Sequence, residues 1–152
     1  MVIIDTNILV SELLHKYEQD ENTLQYRRFY QQLPLVQRVI PDFILNEFEI
    51  YMTKVAPSRY RMDEQQKKTI RKATSIQLEE LIHNCTVVSH SPATIKNAFA
   101  LYKRFENDHY ISFTDSLLLA VAKDSGYTLL TKDRRVINRA KELDIHLSKL
   151  TK

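Results

Sequence analysis

The chain has 152 residues, 43% hydrophobic and 27% charged, with a formal net charge of +3. That composition fits one globular domain with a sizeable core, and no apolar run reaches the eighteen or so residues that a membrane span requires. The single cysteine, Cys85, excludes an intramolecular disulfide and a cysteine-based zinc site, and the single glycine, Gly126, excludes a glycine-rich phosphate loop.

Val2 to Ile4 is a β-branched run and reads as a strand. No basic segment, apolar stretch and cleavage site precedes it, so a cytoplasmic location is expected. Residues 7 to 16 and 23 to 32 read as helices. Val36 to Ile40 is a second strand, and Pro41 suits the start of a helix over Asp42 to Val55 that Pro57 ends. A long helix follows over 63 to 83. Thr86 to Val88 is a third strand. Ser91-Pro92 opens a helix to about Glu106, with Ser91 as its cap. Ser112 to Ser125 is another helix, closed by Gly126. Tyr127 to Leu130 is a fourth strand, Arg134 to Leu143 a helix, and Ile145 to Leu147 a short last strand.

Short apolar strands alternating with helices predict an α/β fold: one domain over 1–152, a parallel sheet of about five strands between two helical layers. In such sheets functional groups gather at the carboxyl ends of strands. Asp5 and Asp133 follow the first and fourth strands. Either alone is also an ordinary turn residue.

Two further acids lie on faces where apolar residues are expected. Ile44, Phe48, Tyr51 and Val55 make one helical stripe, and Glu47 falls inside it, whereas Glu49 faces elsewhere. Asp115 shares a face with Leu118, Leu119 and Ala122, and Asp124 lies near the helix end. Ser112 and Asp115 also have capping-box spacing, which accounts for Asp115 without any site.

No lysine or arginine is expected on those inward faces. A lone buried carboxylate pairs, protonates or binds a metal. If Asp5, Glu47, Asp115 and Asp133 converge, they raise each other's pKa, and a divalent cation removes the conflict. Hard oxygen donors select Mg²⁺ or Mn²⁺, and such a site suits phosphodiester cleavage. His15, His83, His90, His109 and His146 show no ligand spacing.

Between 54 and 72 lie Lys54, Arg59, Arg61, Lys67, Lys68, Arg71 and Lys72, against only Asp63 and Glu64. The cluster reads either as a solvated helix face or as a phosphate-contacting surface. Arg134 and Arg135, just past Asp133, carry the same two readings.

Three segments together carry a resemblance: hydrophobic-Asp5-Thr6-Asn7, the helical acid Glu47 after the second strand, and FTDSLLLAVAKDSGYTLLTKD over 113 to 133. The chain resembles the PIN-domain ribonucleases, a family that includes VapC-type toxins. The resemblance implies a metal-dependent endoribonuclease using Mg²⁺ or Mn²⁺, with in-line attack of an activated water on RNA. It implies that Asp5, Glu47, Asp115 and Asp133 hold the metal, with Asn7 and Thr131 supporting them and Thr6 matching the motif. It implies RNA as substrate, and the charge pattern makes Arg59, Arg61, Lys67, Lys68, Arg134 and Arg135 the candidate contacts. An antitoxin partner and a homodimer also follow from it, and no membrane association.

Arg135 stands where some members place a further acid, and Val136 where an aromatic is frequent. A basic helical extension around 57–80 looks longer than in the smallest members. A PIN-like module that binds RNA or protein without cutting it is the alternative. Aspartyl phosphatases want a second Asp where Asn7 stands. Receiver domains want an acid pair at the first strand and an Asp after the third, which TVVSH lacks.

Overall fold

The computed structural model describes residues 1–151. Its elements in chain order begin with β1 (Val2–Ile4), α1 (Thr6–Leu13), α2 (Glu21–Gln32), β2 (Arg38–Pro41) and α3 (Asp42–Ile50). A π-helical turn over Tyr51–Val55 leads into α4 (Ala56–Arg59). Then come α5 (Glu64–Asn84), β3 (Thr86–Val88), α6 (Pro92–Phe105), α7 (Phe113–Ser125), β4 (Thr128–Leu130) and α8 (Arg134–Glu142).

The sheet has four parallel strands in the order β3-β2-β1-β4. Central β1 pairs Val2 with Arg38 and with Thr128, and Ile3 with Val39 and with Leu129. Ile3, Ile4, Val39, Ile40, Leu129 and Leu130 are fully buried, as expected for strands covered by helices on their faces. The chain departs from β1 to one side and returns as β4 on the other. The carboxyl ends of β1 and β4 therefore flank the point where the strand order reverses, the usual position for a site in an open parallel sheet.

The expected fifth strand shrinks to one parallel bridge, Leu129 to Leu147. The backbone turns at Asp144 with a positive φ of 55° and enters a 3-10 turn at Lys149, so only one residue can pair. The second strand starts later than expected. Leu35–Gln37 form a 3-10 turn, Val36 is exposed, and β2 begins at Arg38. The Arg38 side chain is buried because its Nε and Nη2 donate to Leu33 O at 3.1 and 2.8 Å while the guanidinium covers the Tyr30 ring.

Pro57 does not end the helix that starts at Asp42. The π turn shifts the bonding so that Ala56 N–H donates to Tyr51 O, five residues back. Pro57 follows directly, so the helix takes in the residue without an N–H where its bonding is already irregular. The same insertion moves the buried stripe. Ile44 and Phe48 are buried as expected, but the stripe continues through Met52 and Ala56, while Val55 is 42% exposed and Tyr51 half-buried.

The basic segment is helical and packs on the rest of the domain. α5 packs on the π turn, α3 and β3, and buries Thr74 and Leu81. Ile76 and Ile82 stay exposed. Among the described residues, no helix is long and apolar enough to cross a membrane.

Candidate active site

Asp5 ends β1 and caps α1. Its Oδ1 accepts from Thr6 N at 2.7 Å, and its Oδ2 accepts from Thr131 Oγ1 at 2.6 Å and from Asn7 Nδ2 at 2.8 Å. Its own N–H donates to Leu130 O at 3.1 Å, which pins it beside β4. Thr131, fully buried, also accepts from Asn7 Nδ2 at 3.2 Å and from Asp133 N at 3.1 Å. Asn7 Oδ1 accepts from Lys132 N at 3.1 Å. The DTN and TKD segments are thus bonded into one unit across the strand ends.

Asp133 caps α8, with Oδ1 accepting from Arg135 N at 2.8 Å. Asp115 forms the capping box foreseen for it. Its N–H donates to Ser112 Oγ at 3.1 Å, and its Oδ2 accepts from Ser112 N at 3.2 Å. Glu47 is half-buried on α3. Beside it, Thr6 Oγ1 is buried and closes no hydrogen bond of normal geometry among the described residues, yet it favours the charged form of Glu47.

These four acids line one cleft of about 730 Å³, together with Thr6, Asn7 and Lys132. Their electrostatics agree with that placement. Asp5 is raised from an ordinary 3.8 to about 7, first by burial, with the Asp115 and Glu47 charges adding to it and the Thr131 hydroxyl opposing it. Glu47 is raised by burial and by Asp115. Asp115 is raised by burial and by Asp133, and Ser112 and Arg135 oppose the shift. Among the described residues none of the four acids enters a salt bridge: the recorded pairs use other partners.

No lysine or arginine comes from the inward faces of α3 and α7, but two cations reach the cleft from other elements. Lys132 and Arg59 both line the cleft. They arrive from the loop after β4 and from the end of α4. Lys132 Nζ stands 3.6 Å from Glu18 Oε2 and donates to Thr23 Oγ1 at 3.2 Å. Sequence patterning missed Lys132, Glu18, Tyr17 and Tyr60, all of which line the cleft. Their loop and helix-end positions carry no periodic signal.

Of the six basic residues considered for RNA contact, only Arg59 lines this cleft. Arg61 and Lys67 line a separate depression near the π turn, and Lys67 pairs with Glu64 at 3.2 Å. Arg134 and Arg135 are exposed and line two other depressions. Lys68 is exposed away from all of these. None of the five histidines lines the cleft. Glu49 instead accepts from Thr53 Oγ1 at 3.2 Å, and exposed Asp124 from Thr94 Oγ1 at 2.9 Å.

The donor set suits a hard divalent cation, since every candidate donor is oxygen. Asp115 and Asp133 each cap through one carboxylate oxygen, which leaves the other for a ligand. As they stand, however, no three Asp, Glu, His or Cys side chains among the described residues are close enough to hold an ion. Holding one requires rotation of at least some of these carboxylates.

The sequence matches the PIN domain family over residues 2–143. No curated protein sequence matches it. Several solved structures share the fold. FitAB bound to a DNA fragment aligns at 15% identity with a TM-score of 0.72, over 100% of this chain and 96% of the other. FitAcB from Neisseria gonorrhoeae aligns at 16% identity and 0.68, over 99% and 98%. VapC20 of Mycobacterium tuberculosis, described as a toxin cleaving the sarcin–ricin loop, aligns at 15% identity and 0.65, over 91% and 95%. At such identities the likeness is one of fold.

Proposed function

The chain belongs to the PIN domain family, and from that membership we propose that it is a Mg²⁺- or Mn²⁺-dependent endoribonuclease, the toxin of a toxin–antitoxin pair. One observation carries the reading: Asp5, Glu47, Asp115 and Asp133 reach one cleft from four separate elements. Three of them have raised pKa values, and none is neutralised by a salt bridge. Concentrating unpaired carboxylates this way is unfavourable unless a cation completes the group.

A divalent cation bound there supplies activation of water and an offset for charge on the phosphate. The chain's own residues prepare its place. Thr131, Asn7 and the Thr6 N–H hold both Asp5 oxygens in a fixed orientation. The Ser112 cap anchors one oxygen of Asp115 and the α8 cap one oxygen of Asp133, leaving the other oxygens free to turn toward an ion. Lys132 and Arg59 bring positive charge to the rim, where a phosphate backbone would pass. The toxin role is supported by the fold shared with VapC20, and an antitoxin partner is part of the same reading.

The test is cleavage of total cellular RNA by the purified chain with Mg²⁺, with Mn²⁺ and with EDTA, beside Asp5→Asn and Asp115→Asn. Metal-dependent fragments lost in both variants are expected. Equal activity in the folded variants would overturn the assignment. Absence of both cleavage and Mn²⁺ binding would favour a non-catalytic binding module.

A further inference from the structure

Besides the acids, the cleft is lined by residues that hydrolysis does not use. They come from the turn after α1 and from the end of the helix that the π turn prolongs. Tyr17 and Tyr60 pack with ring centroids 4.7 Å apart and planes tilted by 34°. The Arg59 guanidinium lies 5.7 Å from the Tyr60 ring centroid, and its Nη1 donates to Tyr51 Oη at 3.1 Å. Tyr60 Oη donates to Glu18 Oε1 at 3.5 Å, and Glu18 is held by Lys132.

Tyr17 is 41% exposed, although it lines the cleft that holds the four carboxylates. Tyr60, Arg59 and Glu18 fix the platform on which it rests. An aromatic face held open beside a cation, and continuous with a phosphate-cleaving site, is the arrangement by which single-stranded nucleic acids are gripped. A duplex keeps its bases stacked on each other and cannot offer one to such a face, whereas a loop or single strand can.

We propose that Tyr17 is the stacking platform for an unpaired nucleobase next to the scissile phosphate, with Tyr60 backing it and Arg59 beside the backbone. This rests on the nuclease reading and deepens it: one base of the substrate is read by stacking on Tyr17. The subsite acts in binding, so its loss raises KM more than it lowers kcat.

The experiment measures binding apart from cleavage. Fluorescence anisotropy with a short labelled single-stranded RNA, and with the same strand in a duplex, is recorded for Asp115→Asn protein carrying Tyr17, Tyr17→Phe or Tyr17→Ala. Tyr17→Ala is expected to weaken single-strand binding about 5- to 150-fold, the range for loss of one base–aromatic stack. Tyr17→Phe is expected to restore it, and duplex binding to be weak and indifferent to the change. Single-strand binding unchanged in Tyr17→Ala, or a loss that Phe does not rescue, would overturn the subsite. The two readings fail separately. Tyr17-dependent binding by a chain that cuts nothing would leave the subsite and sink the nuclease, whereas metal-dependent cleavage indifferent to Tyr17 would do the reverse.

Discussion

Thr131 donates its hydroxyl to Asp5 Oδ2 at 2.6 Å, joining the residues that follow two neighbouring strands, with both groups buried. The same hydroxyl oxygen accepts from Asn7 and from Asp133 N. Thr131→Val keeps the shape and removes all three bonds. We expect a loss of about 1–3 kcal/mol in urea unfolding, the cost of stranding buried polar groups. Because the Thr131 hydroxyl favours the charged form of Asp5, the loss should be larger at pH 8 than at pH 5. An equal loss at both would mean that Asp5 is indifferent to its partner.

Burial gives Asp5 itself a pH signature. Its pKa is about 7 folded, against an ordinary 3.8. Between those values the folded state binds more proton than the unfolded state. The stabilisation is therefore complete below 3.8 and is lost as pH rises through about 7. A shift of this size is worth on the order of 4 kcal/mol. In EDTA, stability attributable to Asp5 should fall from pH 5 to pH 8, and Asp5→Asn should flatten that slope. Chemical unfolding at several pH values is the measurement, and an unchanged slope in the variant would discount the shift.

Divalent cation should offset part of that loss at high pH. Mn²⁺ at about a hundred times its Kd stabilises the folded state by about 2.7 kcal/mol, or roughly 5–10 °C in Tm for a chain of this size. The shift should be present at pH 8, small at pH 5, and absent in Asp5→Asn or Asp115→Asn. A Tm that Mn²⁺ leaves unchanged at pH 8 would argue against a cation site.

Asp115 serves two ends, so its cap can be tested apart from its charge. Ser112→Ala removes the acceptor for Asp115 N but keeps the backbone bond to Asp115 Oδ2. A helix-cap loss of about 1 kcal/mol is expected, together with a fall of about 10-fold in cleavage, as for a residue that orients a ligand. Ser112→Thr should preserve both. A stability loss with full activity would make Ser112 a cap alone.

What the sequence revealed follows from where physical constraint is periodic. Strand-end acids and acids on buried helix faces stand out because apolar neighbours set the phase around them, and Asp5, Glu47, Asp115 and Asp133 do share a cleft. Lys132, Arg59 and Tyr17 were not assigned to that cleft because loops and helix ends carry no such phase. The fifth strand failed for a local reason, the turn at Asp144. The basic segment kept two readings because charge density along the chain says nothing about which side of the fold it occupies.

The π turn is the sharpest departure, and it is testable in the core. An unbroken α-helix over Asp42 to Val55 places Val55 inward with Ile44 and Phe48. The extra residue in the turn instead buries Met52 completely and leaves Val55 42% exposed. Met52→Ala should therefore cost about 2–5 kcal/mol, while Val55→Ser should stay within about 0.5 kcal/mol. The opposite order in paired urea titrations would restore the regular helix. It would also re-aim Arg59, which follows the inserted residue in the chain.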